Sequence, residues 1–263
     1  MTPVLVFDIE TIPDVAGLRA LYGSPETTSD AEIAARAFAE RAAKVGHEFL
    51  AHHLHRVVAI SCVFRDDEGL RVRSLGVAGD DEVSLVQAFF RTIDKYTPQL
   101  VSWNGSGFDL PVLGYRALVH GLSAPRFWEL GDDDREFRFN NYISRYHLRH
   151  TDVMDLLAMY QPRASAPLDQ VAKLCGFPGK LGMDGSQVWP AYQEGRLDEI
   201  RNYCETDVIN TWLVYCRFQL LRGILTIAQY LAEVERVRAT LAGIDAAHWR
   251  EYLAAWPLAA QPS

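Results

Sequence analysis

Phe7-Asp8-Ile9-Glu10-Thr11 places two carboxylates two residues apart, directly after a short apolar run. In a strand, residues two apart share a face, so Asp8 and Glu10 project together while Ile9 turns away. Two such groups repel unless a cation sits between them. Further on, Ser102-Trp103-Asn104-Gly105-Ser106-Gly107-Phe108-Asp109 reads as a strand end, a glycine-containing loop and an acid at a helix start. Tyr203-Cys204-Glu205-Thr206-Asp207 lies in a strongly helical stretch, where a spacing of four puts Tyr203 and Asp207 on one face. The chemistry open to these acids together is that of hard oxygen donors around a divalent cation. Taken singly, each piece has a plainer explanation. Asp8 and Glu10 suit a solvated strand end, Asp109 an N-cap, and Tyr203 a core position above a surface aspartate.

The elements that must position these residues follow from periodicity. Val4 to Phe7 reads as a buried strand. Leu18 to Lys44 is Ala- and Glu-rich and helix-prone, with Asp30 placed to start its second half. Val57 to Phe64 and Leu70 to Leu75, separated by Asp66-Asp67-Glu68-Gly69, predict a β-hairpin. Asp81 to Tyr96 carries Val83, Val86, Phe89, Phe90 and Ile93 on a helical stripe. Leu100 to Trp103 is a further strand. Asp109 to Val119 is a helix with Asp109 as N-cap and Pro111 in its first turn. Residues 131 to 150 are irregular. Asp152 to Tyr160 and Leu168 to Cys175 predict short helices, and Gly176 to Gly185 a loop. Leu197 to Leu221 and Ile224 to Leu241 are long helices, and Pro257 to Ser263 reads as a frayed tail.

In this order, D-x-E, N-x-x-x-F-D and Y-x-x-x-D resemble the three motifs of the DEDDy 3′–5′ exonucleases. The wording is closest to the exonuclease domain of family B DNA polymerases, and closer still to small stand-alone bacterial proteins predicted to be exonucleases of that kind. Histidine-type relatives carry His five residues before the last Asp. That position is Asn202, which favours the tyrosine type. The resemblance runs from the first strand to about Leu221. It implies one α/β domain over residues 1–263, with an RNase H-like mixed central sheet flanked by helices. A helical insertion (14–55) and a helical C-terminal part (222–263) would be additions to it.

The same resemblance implies that Asp8, Glu10, Asp109 and Asp207 bind two Mg²⁺ ions, with Mn²⁺ as a substitute. Two divalent cations roughly 3.5–4 Å apart stabilise both the attacking and the leaving oxygen of a phosphodiester. Tyr203, whose ordinary pKa is about 10, is a poor base at neutral pH and is expected to orient the attacking water. Thr11, Ile12, Asn104 and Phe108 are expected at the terminal nucleotide, with Thr11 on the 3′ end and Ile12 wedged near the last base. The implied activity is hydrolysis at the 3′ end of single-stranded nucleic acid, with DNA favoured over RNA. A non-catalytic nucleic-acid-binding protein of this fold and a phosphodiesterase acting on short oligonucleotides remain alternatives.

The chain has 263 residues and a net charge of −8, so long-range attraction to a polyanion is unavailable. Strand affinity must then come from a local patch. The stretch from Arg135 to Arg149 interleaves Arg135, Arg138, Arg145 and Arg149 with Phe137, Phe139, Tyr142 and Tyr146. Arginines neutralise phosphates and aromatics stack on bases. Arg138, Tyr142 and Arg145 are therefore candidate strand contacts, against the alternative of a solvated face. Lys180, in the glycine-rich loop, is a candidate phosphate contact or a plain surface lysine. His52, His53 and His55 suit a solvated or helix-end role better than a zinc site. Asp152 and Asp155 suit a helix cap and a first-turn acid. The four cysteines form no C-x-x-C pair, and with no signal peptide or 18-residue apolar stretch this predicts a cytoplasmic chain without a membrane segment.

Overall fold

The computed structural model describes residues 2–257, so the expected tail lies, from residue 258 on, outside the described residues. A near-continuous apolar strand wants cover on both faces. β1 (Val4–Pro13) has it. Its even residues Val4 and Val6 enter one core, and its odd residues Leu5, Phe7 and Ile9 enter the other. β2 (His55–Asp66) pairs antiparallel with β1, and β3 (Gly69–Ser74) closes the expected hairpin. β4 (Gln99–Ser102) and β5 (His150–Asp152) add parallel on the other side. The order is β3-β2-β1-β4-β5, a mixed sheet with β1 in the middle.

The odd-numbered face packs under α3 (Glu82–Tyr96) and α4 (Asp109–Val119), with Phe7 and Phe89 ring centroids 5.0 Å apart. The even-numbered face packs under α8 (Leu197–Leu221), buried along much of its length. Against α8 lie α6 (Leu168–Leu174), α9 (Ile227–Ala242) and α10 (Ala247–Ala255). The segment 14–55 holds α1 (Val15–Tyr22), α2 (Asp30–Val45) and a 3₁₀ turn, His52–Leu54. A short α5 (Val153–Leu157) follows β5, and α7 (Val188–Gln193) precedes α8. Among the described residues, no helix is long and apolar enough to cross a membrane.

Several expectations need correction. β1 runs on to Pro13, so Asp8 and Glu10 lie within the strand rather than beyond it. β5, α7 and α10 are additional to the expected elements, being three to nine residues long with weak periodicity. Phe108, not Asp109, occupies the N-cap of α4, and no side chain caps that end.

One buried ion network ties β2, segment 14–55 and the odd-face helices together. Glu82 at the start of α3 is 5% exposed and accepts the backbone N–H of Val57 at 2.7 Å. Arg116 on α4, 3% exposed, donates Nε to Glu82 at 2.7 Å and a terminal nitrogen to Asp14 at 2.6 Å. His120 Nε2 lies 2.7 Å from Glu82. Breaking a buried pair leaves a charge without compensation, so Arg116→Met should cost about 3–5 kcal/mol of stability. Adding Glu82→Gln to that variant should recover a large part of the loss. Urea unfolding of the single and double variants checks this.

Candidate active site

Alternation along β1 carries Asp8 and Glu10 onto the face that Val4 and Val6 began, toward α8. There α8 supplies Tyr203, Cys204 and Asp207. The Cys204 thiol lies 3.4 Å from the Asp8 carbonyl oxygen and 3.5 Å from its Oδ2. Carboxylate oxygens of Asp8 and Glu10 and the Cys204 sulfur lie within 4.8 Å of one another.

Asp109 arrives differently. β4 follows β1 only as far as Val6↔Val101, so β1 beyond it has no strand on that side. The N–H of Ile9 still needs a partner. Asp109 Oδ1 accepts it at 3.1 Å. The loop before Asp109 is held by Asp152, whose oxygens accept the N–H groups of Asn104 at 3.0 Å and Ser106 at 2.9 Å. Asn104 takes a left-handed φ of 65°. A side chain at Gly105 would collide with Ser102, so the turn needs glycine there. Asp152 also caps α5 as expected, through the Asp155 N–H at 3.3 Å.

Clustering shows in the acidities. Burial, followed by Asp109 and Asp207, holds the Asp8 carboxyl well above the usual range. Burial, with Asp8 and Asp207, does the same for Glu10. Asp109 is pushed by burial up to about 7, against the N–H groups that favour its charged form. Burial raises Asp207 as well, although Lys180 pulls it back.

Among the described residues, Lys180 is the one cation paired with these acids. Its Nζ lies 3.2 Å from Asp207 Oδ2 and donates to the Tyr203 hydroxyl. Burial alone would lower its pKa, but Asp207, Glu10 and Asp8 outweigh that and raise it. Its placement comes from α8 and α10. Asn210 accepts the Gly179 N–H at 3.3 Å and donates to its carbonyl at 2.9 Å, while the Tyr252 hydroxyl donates to Asn210 at 2.7 Å. Gly179 has φ +72°, and a side chain there would meet Asp169 and Lys173. The sequence alone puts Lys180 at a substrate phosphate or on the open surface. The structure pairs it with Asp207.

Tyr203 is 5% exposed. Burial, then the neighbouring acids, raises its pKa strongly, so the phenol is neutral. The donor set is rich in carboxylate oxygen, which suits Mg²⁺ or Mn²⁺. Asp207 Oδ1 is buried without a hydrogen-bond partner. An orphaned carboxylate oxygen beside Asp8 and Glu10 fits a cation ligand.

Glu10, Thr11, Ile12 and Phe108 line a cavity of about 640 Å³ beside these acids. Ile12 is 1% exposed and packs with the apolar side chains of α7 and α8. It therefore forms floor rather than a projecting wedge. The basic stretch is only half as expected. Tyr142 is 2% exposed, with its ring stacked on Phe127 and its hydroxyl donating to the Pro98 carbonyl at 2.7 Å. That core position removes it from the strand contacts. Phe137 is buried too, under Arg149. Arg138 and Arg145 remain exposed, the first donating to Gly131 and the second lying over the Tyr160 ring. Residues that sequence reasoning misses are Phe49, Leu50 and Trp189 on the cavity wall and Cys204 beside Asp8. Cys204 stands inside the Y-x-x-x-D motif, which is a usable signal; the others carry no local one.

Residues 47–256 match a family described as a predicted 3′–5′ exonuclease related to the exonuclease domain of PolB. The matched segment contains Asp109, Lys180, Tyr203 and Asp207, while Asp8 and Glu10 precede it. The DNA polymerase epsilon catalytic chain of Saccharomyces cerevisiae is 28% identical over 149 residues, covering 53% of this chain and 6% of that protein. Its counterpart in Dictyostelium discoideum is 28% identical over 144 residues, covering 52% and 6%. The chain thus corresponds to a small part of these relatives. The family B DNA polymerase of the archaeon Pyrobaculum calidifontis aligns with a TM-score of 0.49 and 17% identity over 92% of this chain and 29% of that one. With most of its length inside the family match, the chain belongs to the predicted 3′–5′ exonucleases related to the exonuclease domain of PolB.

Proposed function

We propose that this protein is a metal-dependent exonuclease that removes nucleotides from the 3′ end of single-stranded nucleic acid, with DNA favoured. The observation that carries the reading is the convergence of Asp8, Glu10, Asp109 and Asp207 on one buried corner beside an open cavity. Such a corner stores repulsion that a structural role would not require. The relatives named above are DNA polymerases, which favours DNA.

Asp8, Glu10, Asp109 and Asp207 would hold two Mg²⁺ or Mn²⁺ ions. Bound there, the ions offset the negative charge that builds on the attacking and leaving oxygens. The remaining steps fall to this chain. Tyr203, a neutral phenol that accepts from Lys180 and is hydrogen-bonded to Asp207, stands beside the acids to orient the attacking water. Thr11 and Phe108 border the cavity for the terminal nucleoside, and Asn104 sits in the loop leading to it. Arg138 and Arg145 are exposed and offered to strand phosphates.

A 5′-labelled single strand should give a descending ladder in Mg²⁺ and none in EDTA, while circular single strands resist. Asp8→Asn or Glu10→Gln should lower the rate by roughly 10³-fold, about 4 kcal/mol of barrier. Cleavage of circles, or full activity in either variant, would sink the reading.

The acidities give a second expectation. In the metal-free protein the raised carboxyls bind protons that the unfolded chain has already released. The folded state therefore holds more protons between about 4 and the Asp109 value of about 7. Stability should fall as pH rises across that window. Mg²⁺ should restore it more at pH 8 than at pH 5, because its ligands must be deprotonated. At a concentration about 100 times Kd, the gain should be about 2.7 kcal/mol. Thermal melts at both pH values, with and without Mg²⁺, test this. Asp207→Asn should stabilise the metal-free protein and remove most of the Mg²⁺ effect. Tyr203→Phe should slow the reaction yet leave the Mg²⁺ stabilisation in place, and loss of both would refute that division of labour.

A further inference from the structure

One wall of the cavity comes from segment 14–55, which ends in the first residue of β2. Phe49, Leu50 and His55 stand there, facing Thr11 and Phe108. His55 is 6% exposed. The rings of Phe49 and Phe108 lie 5.2 Å and 5.1 Å from its own and fix its orientation.

The two ring nitrogens of His55 have different partners. Nε2 lies 3.2 Å from the carbonyl oxygen of Leu50. A carbonyl only accepts, so Nε2 carries the hydrogen. Nδ1 lies 2.8 Å from Thr11 Oγ1. In a neutral ring Nδ1 is then bare, and the Thr11 hydroxyl must donate to it. Burial lowers the His55 pKa to about 4, which keeps the ring neutral at physiological pH. With its hydrogen committed, Thr11 has only lone pairs left to offer the cavity.

We propose that His55 is a positioning residue that makes Thr11 an obligate hydrogen-bond acceptor, so that the cavity selects a terminal sugar with a free 3′-hydroxyl. A hydroxyl donor satisfies Oγ1; a 3′-hydrogen leaves it bare, and a 3′-phosphate adds oxygens that compete as acceptors. This rests on the exonuclease reading of the neighbouring acids. It also gives segment 14–55 a task, since the Leu50 carbonyl is what sets the tautomer.

The test uses the full chain and two otherwise identical single strands, one ending in a 3′-hydroxyl and one in a 3′-hydrogen. Affinity is measured in Ca²⁺, and KM and kcat in Mg²⁺. The wild type should prefer the hydroxyl end by roughly tenfold in affinity, the size of one well-placed hydrogen bond. His55→Phe keeps the ring but removes the acceptor. Its preference should fall toward one, through weaker binding of the hydroxyl end, with binding of the 3′-hydrogen end unchanged. Thr11→Val should show the same loss and serves if His55→Phe does not fold. Equal weakening on both ends would mark His55 as merely structural and overturn the inference, as would an unchanged preference. A wild type that cleaves both ends without preference defeats this inference but leaves the exonuclease reading standing. A wild type that neither binds nor cleaves either strand defeats both.

Discussion

Placing four carboxylates in one buried corner is unfavourable, and the rest of the fold can be understood as what holds them there. Buried charges without partners cost several kcal/mol each, so an unsupported cluster would splay apart or neutralise. The pull toward neutralisation shows in the carboxyls of Asp8, Glu10 and Asp207, whose pKa burial raises above the usual range. Splaying is prevented by the backbone. Asp8 and Glu10 sit on the central strand of the sheet, braced on both sides by neighbouring strands or loop, and Asp207 sits on the most buried helix. Asp109 is anchored by the N–H that β4 leaves unpaired when it ends.

The molecule contains a second buried ionic group that shows the contrast. Around Glu82, each charge meets an opposite one, with Arg116 bridging Glu82 and Asp14 and His120 alongside. That network joins elements, and Arg116 pairs with both of its acids. At the candidate active site, Lys180 is the cation beside Asp207, and Asp207 Oδ1 has no hydrogen-bond partner. That excess of negative charge is what distinguishes the acid cluster from a structural bolt. Composition cannot separate the two, because both are made of the same residue types.

What was legible in the sequence follows the same division. The acids were readable because their spacing has local meaning: two apart on a strand, four apart on a helix. Long periodic elements were readable too, and α8 occupies the expected Leu197–Leu221. Asp109 misled because an acid at a helix start ordinarily caps it, whereas here its carboxylate serves β1 from 100 residues away. Tyr142 misled because alternation of arginine and aromatic looks alike whether the rings face a strand or a core. Its burial depends on Phe127 and Pro98, which no local pattern links to it. β5 is three residues long and exists through its pairing with β4.

The two parts of the chain that looked like additions act on the site through intermediates. From the C-terminal side, Tyr252 on α10 orients Asn210, Asn210 holds Gly179, and Lys180 is thereby set against Asp207 and Tyr203. From the N-terminal side, the Leu50 carbonyl fixes the His55 ring, and His55 takes the hydrogen of Thr11. In neither chain of contacts does the added element reach the acids itself. An element that only orients a neighbour can vary in length and sequence as long as one hydrogen-bonding group keeps its place. The acids have no such freedom, since shifting the β1 register by one residue would turn Asp8 and Glu10 to the opposite face. Direct contact with the charge cluster is thus confined to β1, α4, α8 and the loop carrying Lys180.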